Sequence, residues 1–319
     1  MQVDRVHLAA EGYEAQLRAE LERAGQHILF ERGGLFGVKG SAFSPVWAEN
    51  TWLNPRLIPV RSIGDAAKTL KDLQRNWALY PTVETGRSRL IQEALPKMAA
   101  RPHVFGSALP KAPLGSWTLW SRDVLLASPA CTSPFVHGKA VFAEDKKNPP
   151  NRAYLKLWES FTRMGHAPGP GDLCLDLGSA PGGWTWVLAG LGAHVFSIDK
   201  APLAPGVARH PLVHHCIGSA FALEPQHAGA VSWLFSDVAC YPERLLALVQ
   251  DWLEKGQCAN FLCTIKFSGE TDFATLDAFL GIPGSYAMHL SVNKHEVTWV
   301  RTGAPSPLQD HPPSRAFSL

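Results

Sequence analysis

The chain of 319 residues contains no long apolar run. No stretch approaches the roughly 18 consecutive apolar residues that a membrane-spanning helix needs, so we expect no membrane span. The first residues, MQVDRVHLAAEGYEAQL, lack the apolar segment of a secretory signal, so we expect no signal peptide. Hydrophobic residues make up 46% and charged residues 18% of the chain, which is typical of a globular protein.

The cysteines show no paired pattern. There are six of them, none in a Cys-x-x-Cys arrangement, at positions 131, 174, 216, 240, 258 and 263. Scattered thiols in apolar runs favour buried free cysteines in a reducing compartment, with zinc or disulfides as the weaker alternative. We therefore expect a cytoplasmic protein without a metal site.

Charge is scarce but uneven. Residues 1–150 hold 19 Lys and Arg against 14 Asp and Glu, whereas residues 151–319 hold 11 against 14. The densest basic stretch is 68–101, where Trp77 and Tyr80 lie between the cations. These rings could stack on bases of single-stranded RNA, or they could equally be core aromatics beneath a solvated helical face. The asymmetry indicates an anionic partner for the first half.

A charged and proline-rich segment, residues 144–150, interrupts any regular structure and marks a domain boundary. Residues 1–147 form a smaller α+β domain in this interpretation, with a strand at 3–10 and helices at 12–25, 65–79 and 86–100. Further strands are expected at 117–121 and 124–128. Residues 148–302 form the second domain, and the Pro/Ser-rich residues 303–319 are expected to be a flexible tail.

Strands and helices alternate regularly through the second domain. After an amphipathic helix at 151–164, strands are predicted at 173–178, 194–199, 212–216, 230–238, 260–267, 285–292 and 296–301. Such alternation is typical of a mostly parallel, doubly wound α/β sheet. The link 289–295 is too short for a parallel crossover, which needs about a dozen residues. The last strand should therefore run antiparallel.

The stretch DLGSAPGGWTWVL (176–188) follows the first of these strands. Its glycines allow a tight turn and a close approach to a ligand at the carboxyl end of the sheet. Asp199 ends the next strand, where a carboxylate can accept ribose hydroxyls. The spacing G-x-x-x-G-G is not the G-x-G-x-x-G of dinucleotide folds, and Asp176 suits an ammonium or a sulfonium better than a pyrophosphate. We therefore favour S-adenosylmethionine over NAD, with a turn that binds no ligand as the alternative.

Four titratable residues are predicted to meet at this edge. Asp237 and Lys266 end two parallel strands, Glu296 begins the antiparallel one, and Lys156 lies on the preceding helix. Taken singly, each could be a solvent-exposed residue, and Lys156 could belong to a polar helix face with Glu159, Ser160 and Arg163. Together they suit the removal of a proton from a ribose hydroxyl that attacks a methyl group. Burial and a neighbouring cation lower the pKa of a lysine, so that it can act as a general base.

These stretches resemble the FtsJ-type RNA ribose 2'-O-methyltransferases. The resemblance is carried by NRAYLKLWESF (151–161), DLGSAPGGWTW (176–186), VSWLFSDV (231–238), LALVQDWLEKGQC (246–258) and HEVTWVR (295–301). It is closest to the RlmM-type branch, which methylates a cytidine 2'-hydroxyl in bacterial large-subunit (23S) ribosomal RNA. It covers nearly all of 148–302, and residues 6–25 also resemble the branch's amino terminus. It implies a Rossmann-like methyltransferase fold and chemistry that needs no metal.

The resemblance also implies roles for single residues. Lys266 would be the base in a Lys-Asp-Lys-Glu tetrad with Lys156, Asp237 and Glu296. The expected S-adenosylmethionine contacts are Asp176, Gly178, Ser179, Ala180, Pro181, Gly182, Gly183, Trp184, Asp199, Ser219, Phe221 and Asp237. Ser219 stands where the family often has an acidic residue, so backbone groups and Phe221 would hold the adenine. The family's RNA-binding THUMP region would correspond to a reduced version in residues 1–147.

Several functions remain open at this point. The leading interpretation is 2'-O-methylation of large-subunit ribosomal RNA, and a second keeps the chemistry but acts on tRNA or another RNA. A third is an RNA-binding protein that has lost activity, which the intact tetrad disfavours. A dehydrogenase is disfavoured by the glycine spacing.

Overall fold

The computed structural model describes residues 2–98 and 101–303, which divide into two compact units. The amino-terminal unit runs to His103 and includes Leu109–Val141. The carboxyl-terminal unit consists of Val104–Ala108 and the chain from Phe142 onward. The tail expected at 303–319 lies outside the described residues from position 304 onward.

The described part of the amino-terminal unit contains two four-stranded sheets, three α-helices and a short 3-10 helix at Val136–Gly138. One sheet has the order β2-β3-β1-β4 with every pair antiparallel; in the other, β5-β8-β7-β6, the β6–β7 pair is parallel. The elements are β1 (Arg5–Ala9), α1 (Glu14–Arg23), β2 (His27–Arg32), β3 (Leu35–Lys39), β4 (Ala48–Trp52), β5 (Arg56–Pro59), α2 (Ile63–Leu73), β6 (Trp77–Leu79), α3 (Thr85–Glu93), β7 (Gly115–Ser121) and β8 (Val124–Ser128).

The helix predicted at 65–79 ends early, and this part of the prediction is wrong. Helix α2 stops at Leu73 because Gln74 adopts an extended backbone, and Trp77–Leu79 form strand β6 beside β7. The Trp77 indole donates hydrogen bonds to the carbonyls of Leu70 and Gln74, at 2.8 and 3.0 Å. Trp77 is buried in the core, and the Tyr80 hydroxyl donates to the Gly33 carbonyl. Trp77 and Tyr80 are therefore packed or hydrogen-bonded within the fold, and the alternative that they stack on RNA bases is not supported.

The carboxyl-terminal unit is built on one seven-stranded sheet in the described residues. Its order is β11-β10-β9-β12-β13-β15-β14. The elements are α4 (Tyr154–Met164), β9 (Leu173–Leu177), α5 (Gly183–Gly190), β10 (His194–Asp199), α6 (Pro205–Ala208), β11 (Val213–Ile217), α7 (Pro225–Ala228), β12 (Ala230–Ser236), α8 (Pro242–Lys255), β13 (Gln257–Lys266), α9 (Phe273–Leu280), β14 (Ser285–Met288) and β15 (Glu296–Arg301).

The strand directions confirm the predicted Rossmann-like α/β sheet. The pairs from β11 to β13 are parallel, whereas β15 pairs antiparallel with both β13 and β14. The chain order reverses beside β9, between β10 on one side and β12 on the other. In open α/β sheets ligands bind at such a switch point, beyond the carboxyl ends of the strands. The loops after β9 and β12 therefore define where a site is expected.

None of the helices among the described residues is long and apolar enough to cross a membrane.

Candidate active site

The segment between β9 and α5 requires glycine at Gly178 and Gly182, and Gly183 at the start of α5 is closely packed. Gly178 and Gly182 have positive φ angles of 84° and 108°, which side chains rarely tolerate. A Cβ atom on Gly178 would also lie 2.8 Å from Cβ of Val238, and one on Gly183 would lie 2.1 Å from Oδ1 of Asn151. The loop thus packs directly against the end of β12 and the start of α4.

Asp199 fixes this loop to the end of β10. Its carboxylate accepts hydrogen bonds from the backbone N–H groups of Ala180, at 3.0 Å, and Ala201, at 2.9 Å. The Ser179 hydroxyl is buried in the same loop and has no hydrogen-bond partner among the described residues. A buried polar atom without a partner is costly, and a bound polar ligand would satisfy it.

Asp176 lies inside the sheet, with its carboxylate accepting a 2.6 Å hydrogen bond from the Thr185 hydroxyl. Its pKa is raised to about 7, mainly by burial, with smaller increases from the charges of Asp237 and Asp199, while the hydrogen bonds from Thr185 lower it. Three carboxylates thus share one region at the switch point. Such a region favours a ligand that carries positive charge and disfavours a pyrophosphate.

The remaining predicted cofactor contacts lie around this loop. Ala180 and Pro181 connect Ser179 to Gly182. Trp184 is buried on α5, and its Nε1 donates a 3.0 Å hydrogen bond to the Ala153 carbonyl, which ties α5 to the start of α4. After β11, the Ser219 hydroxyl accepts a 3.3 Å hydrogen bond from the Phe221 N–H. The Phe221 ring lies against the Arg244 guanidinium, 3.9 Å from its centroid.

The four charged residues of the predicted tetrad lie together. Lys156 Nζ is 2.9 Å from Oδ1 of Asp237 and 2.8 Å from Oε1 of Glu296. Lys266 Nζ is 3.0 Å from the same Asp237 oxygen and also donates to the Asp237 main-chain carbonyl. Asp237 therefore bridges the Nζ atoms of Lys156 and Lys266.

The fold explains this convergence. Asp237 follows the last residue of β12, and Lys266 is the last residue of β13. Because β15 runs antiparallel, its first residue, Glu296, is the register partner of Lys266. The Lys156 side chain is only 10% exposed and that of Lys266 is 29% exposed, so Lys266 is the more accessible of the two amines.

A second buried ionic cluster holds the link before β15, and the sequence reasoning missed it. Glu159 is 1% exposed and accepts hydrogen bonds from the N–H and hydroxyl of Ser291, at 2.9 and 3.0 Å, and it pairs with Arg163. Burial raises its pKa despite these partners. The polar face of α4 is thus buried rather than solvent-exposed. The i, i+4 spacing of Glu159 and Arg163 was the available signal.

The sheet order and this site define the chain's carboxyl-terminal unit as a Rossmann-like domain of the methyltransferase type. Residues 149–259 match the family model described as FtsJ-like methyltransferase, which confirms the resemblance for the segment that carries Lys156 and Asp237. Lys266 and Glu296 lie beyond the matched segment.

Named relatives agree with this match. The chain is 41% identical over 112 residues to "Ribosomal RNA large subunit methyltransferase M" of Halorhodospira halophila, covering 34% of this chain and 32% of that protein. It is 32% identical over 203 residues to the protein of the same name from Alkalilimnicola ehrlichii, covering 60% of this chain and 56% of the relative. The matches thus span about a third to just over half of these relatives.

Among solved structures, an rRNA methylase from Streptococcus thermophilus aligns with a TM-score of 0.35 and 13% identity, over 46% of this chain and 95% of that one.

Proposed function

We propose that this protein transfers a methyl group from S-adenosylmethionine to a ribose 2'-hydroxyl of RNA, in the cytoplasm. The finer proposal is a cytidine of bacterial large-subunit ribosomal RNA. The observation that carries the chemistry is the convergence of Lys156 and Lys266 on Asp237 beside the glycine loop. The FtsJ-like match and the names of the relatives support the RNA substrate.

The residues of the loop fit S-adenosylmethionine. Asp199 would accept its ribose hydroxyls, and the buried Asp176 would favour its positive charge, whereas the Asp237 carboxylate is already paired with Lys156 and Lys266. The buried Ser179 hydroxyl offers a polar contact that no described residue satisfies. When bound, the cofactor would supply an electrophilic methyl group on a positively charged sulfur.

In this proposal Lys266 is the general base. Its Nζ, the more accessible of the two amines, would accept the proton of the ribose 2'-hydroxyl as that oxygen takes the methyl group. Asp237 would hold the Nζ atoms of both lysines, and Glu296 would hold Lys156 from the other side. Because the four groups are fixed by strand ends and a buried helix, much of the rate gain would come from alignment.

The amino-terminal unit would then bind the RNA as a reduced THUMP-like module. Its net charge supports an anionic partner, although Trp77 and Tyr80 are engaged in the fold. Arg89 on α3 is exposed and pairs with no carboxylate among the described residues, whereas the Arg87 side chain is 16% exposed and lies 3.8 Å from Asp123. We therefore expect Arg89 to contact RNA phosphates.

The test is methyl transfer from labelled S-adenosylmethionine to total RNA of a strain that lacks this gene, followed by nucleoside mass analysis. We expect 2'-O-methylcytidine in large-subunit ribosomal RNA. Lys266→Ala should lower kcat by about 10²–10⁴-fold and leave cofactor binding nearly unchanged. Lys266→Arg should be as inactive, because an arginine stays protonated. Lys255→Ala, an exposed lysine of α8, is the control.

The other outcomes separate the alternatives. Retained turnover by Lys266→Arg would show that Lys266 acts through its charge and not as the base. A 2'-O-methyl mark in tRNA or another RNA would keep the chemistry and remove the ribosomal assignment. Cofactor binding without transfer to any RNA would favour an RNA-binding protein that has lost activity.

A further inference from the structure

Tyr241 is the most conspicuous aromatic side chain of the surface. It is 72% exposed, and it is the one Phe, Trp or Tyr residue with a mostly exposed side chain among residues 2–98 and 101–303. The chain has 31 such residues in all, and burying them is energetically favourable. Tyr241 thus presents an accessible aromatic ring to solvent.

The position of Tyr241 relates it to the tetrad. It lies four residues after Asp237, on the loop between β12 and α8. Its main-chain carbonyl accepts the N–H groups of Arg244 and Leu245, at 3.1 and 3.3 Å, so its backbone is fixed by the first turn of α8. Its side chain takes no part in this capping.

The neighbours of Tyr241 place it among cations. Lys266 Nζ donates a hydrogen bond to the main-chain carbonyl of Asp237, four residues before Tyr241, and the N–H of Arg244 donates to the carbonyl of Tyr241 itself. Lys266 and Arg244 therefore both lie close to this loop. The exposed Arg244 is held in place by stacking on the Phe221 ring.

We propose that Tyr241 stacks on the base of the nucleotide that is methylated and that Arg244 contacts a neighbouring phosphate. This inference rests on the proposed function and adds a substrate-positioning surface to it. A nucleotide in a single-stranded loop has an unstacked base, and an aromatic side chain next to the tetrad can stack on that base while the 2'-hydroxyl faces Lys266. Arg244 supplies the charge that the RNA backbone requires.

The experiment compares Tyr241→Ala with Tyr241→Phe on an unmodified transcript of 23S ribosomal RNA. Base–aromatic stacking measured by alanine substitution predicts a loss of roughly tenfold to a hundredfold in kcat/KM and in RNA affinity for Tyr241→Ala. Tyr241→Phe keeps the ring and should stay within about twofold of the wild type. The Kd for S-adenosylmethionine should be unchanged in both variants. Val104→Ala, which truncates another exposed apolar residue of this unit, is the control.

A second measurement identifies the stacked base. Once the methylated nucleotide is mapped, a short synthetic RNA with an abasic ribose at that position is compared with the intact RNA. The wild type should lose affinity for the abasic RNA by the same factor as Tyr241→Ala loses for the intact one. Tyr241→Ala should lose little more on the abasic RNA, since the two changes remove the same contact. Fully additive losses would overturn stacking on the target base.

Equal RNA affinity and kcat/KM for Tyr241→Ala and wild type would overturn the inference while the proposed function stands. Failure of the wild type to methylate any RNA would instead overturn the proposed function. In that case the RNA affinities of Tyr241→Ala and wild type for the transcript still decide whether Tyr241 is an RNA contact.

Discussion

The two units of this chain arrange their charges in opposite ways. In the carboxyl-terminal unit, Asp237 pairs with Lys156 and Lys266, and Lys156 also pairs with Glu296, so that four charges form one network at a single sheet edge. In the amino-terminal unit, each ion pair seen among the described residues joins one cation to one anion. Arg18–Glu31 and Lys139–Glu11 are examples. Exposed single pairs contribute little to stability or specificity. The contrast fits the proposed division of roles, in which the network carries the chemistry and exposed cations bind the RNA.

The largest expected effect is the loss of the bridging carboxylate. Asp237→Asn removes the negative charge that both lysines share, and we expect kcat to fall about 10³-fold because Lys266 is no longer held. The measurement is single-turnover methyl transfer at saturating RNA. Asp251→Asn is the matched control. Asp251 lies on α8, and its carboxylate pairs with a single lysine, Lys255, among the described residues. Activity of Asp237→Asn within tenfold of the wild type would remove the contrast between the two units.

The second prediction concerns the buried Asp176. Its folded-state pKa of about 7 lies above the ordinary value of 3.8. The folded state therefore binds the proton more tightly, and the free energy of unfolding should fall as pH rises from about 4 to about 7, by up to about 4 kcal/mol. Asp176→Asn cannot ionise and should remove this part of the pH dependence in urea titrations. Asp172→Asn, just before the other end of β9, should keep it. An unchanged profile for Asp176→Asn would contradict the burial of a charge at the switch point.

The third prediction concerns a buried histidine of the amino-terminal unit, whose pH response is opposite to that of Asp176. His7 is buried beside Thr51, and burial, with a smaller contribution from Arg5, lowers its pKa from 6.5 to about 4. The unfolded state then binds more protons between these values, so stability should fall as pH drops from about 6.5 to about 4, by up to about 3 kcal/mol. His7→Gln should remove this decrease in the free energy of unfolding between about pH 6.5 and pH 4. His27→Gln, an exposed histidine of the same unit, should not, and equal flattening by both variants would count against the assignment to His7.

These differences also explain what could be predicted from the sequence. The sheet and the placing of Lys156, Asp237, Lys266 and Glu296 followed from strand order and from the short link before β15. They follow because parallel strands bring their ends to one edge whatever the side chains between them. The strand at Trp77–Leu79 was missed because helical propensity was overridden by tertiary pairing with β7. The Glu159–Ser291 contact was missed because it joins residues 132 apart. An RNA-binding surface leaves no comparable spacing, since exposed cations can come from any element.

The smallest expected effect tests that surface directly. Arg89 and Arg87 lie two residues apart on α3, but only Arg87 is paired with Asp123. Arg89→Glu should weaken RNA binding severalfold and reduce the slope of log K against log salt by about 0.7–0.9 for each phosphate that the protein no longer neutralises. Arg87→Gln should change that slope much less, because its charge is already partly offset within the fold. Equal slopes for wild type and Arg89→Glu would take α3 out of the RNA-binding surface. The proposed site would then depend on contacts such as Tyr241 and Arg244 beside the tetrad.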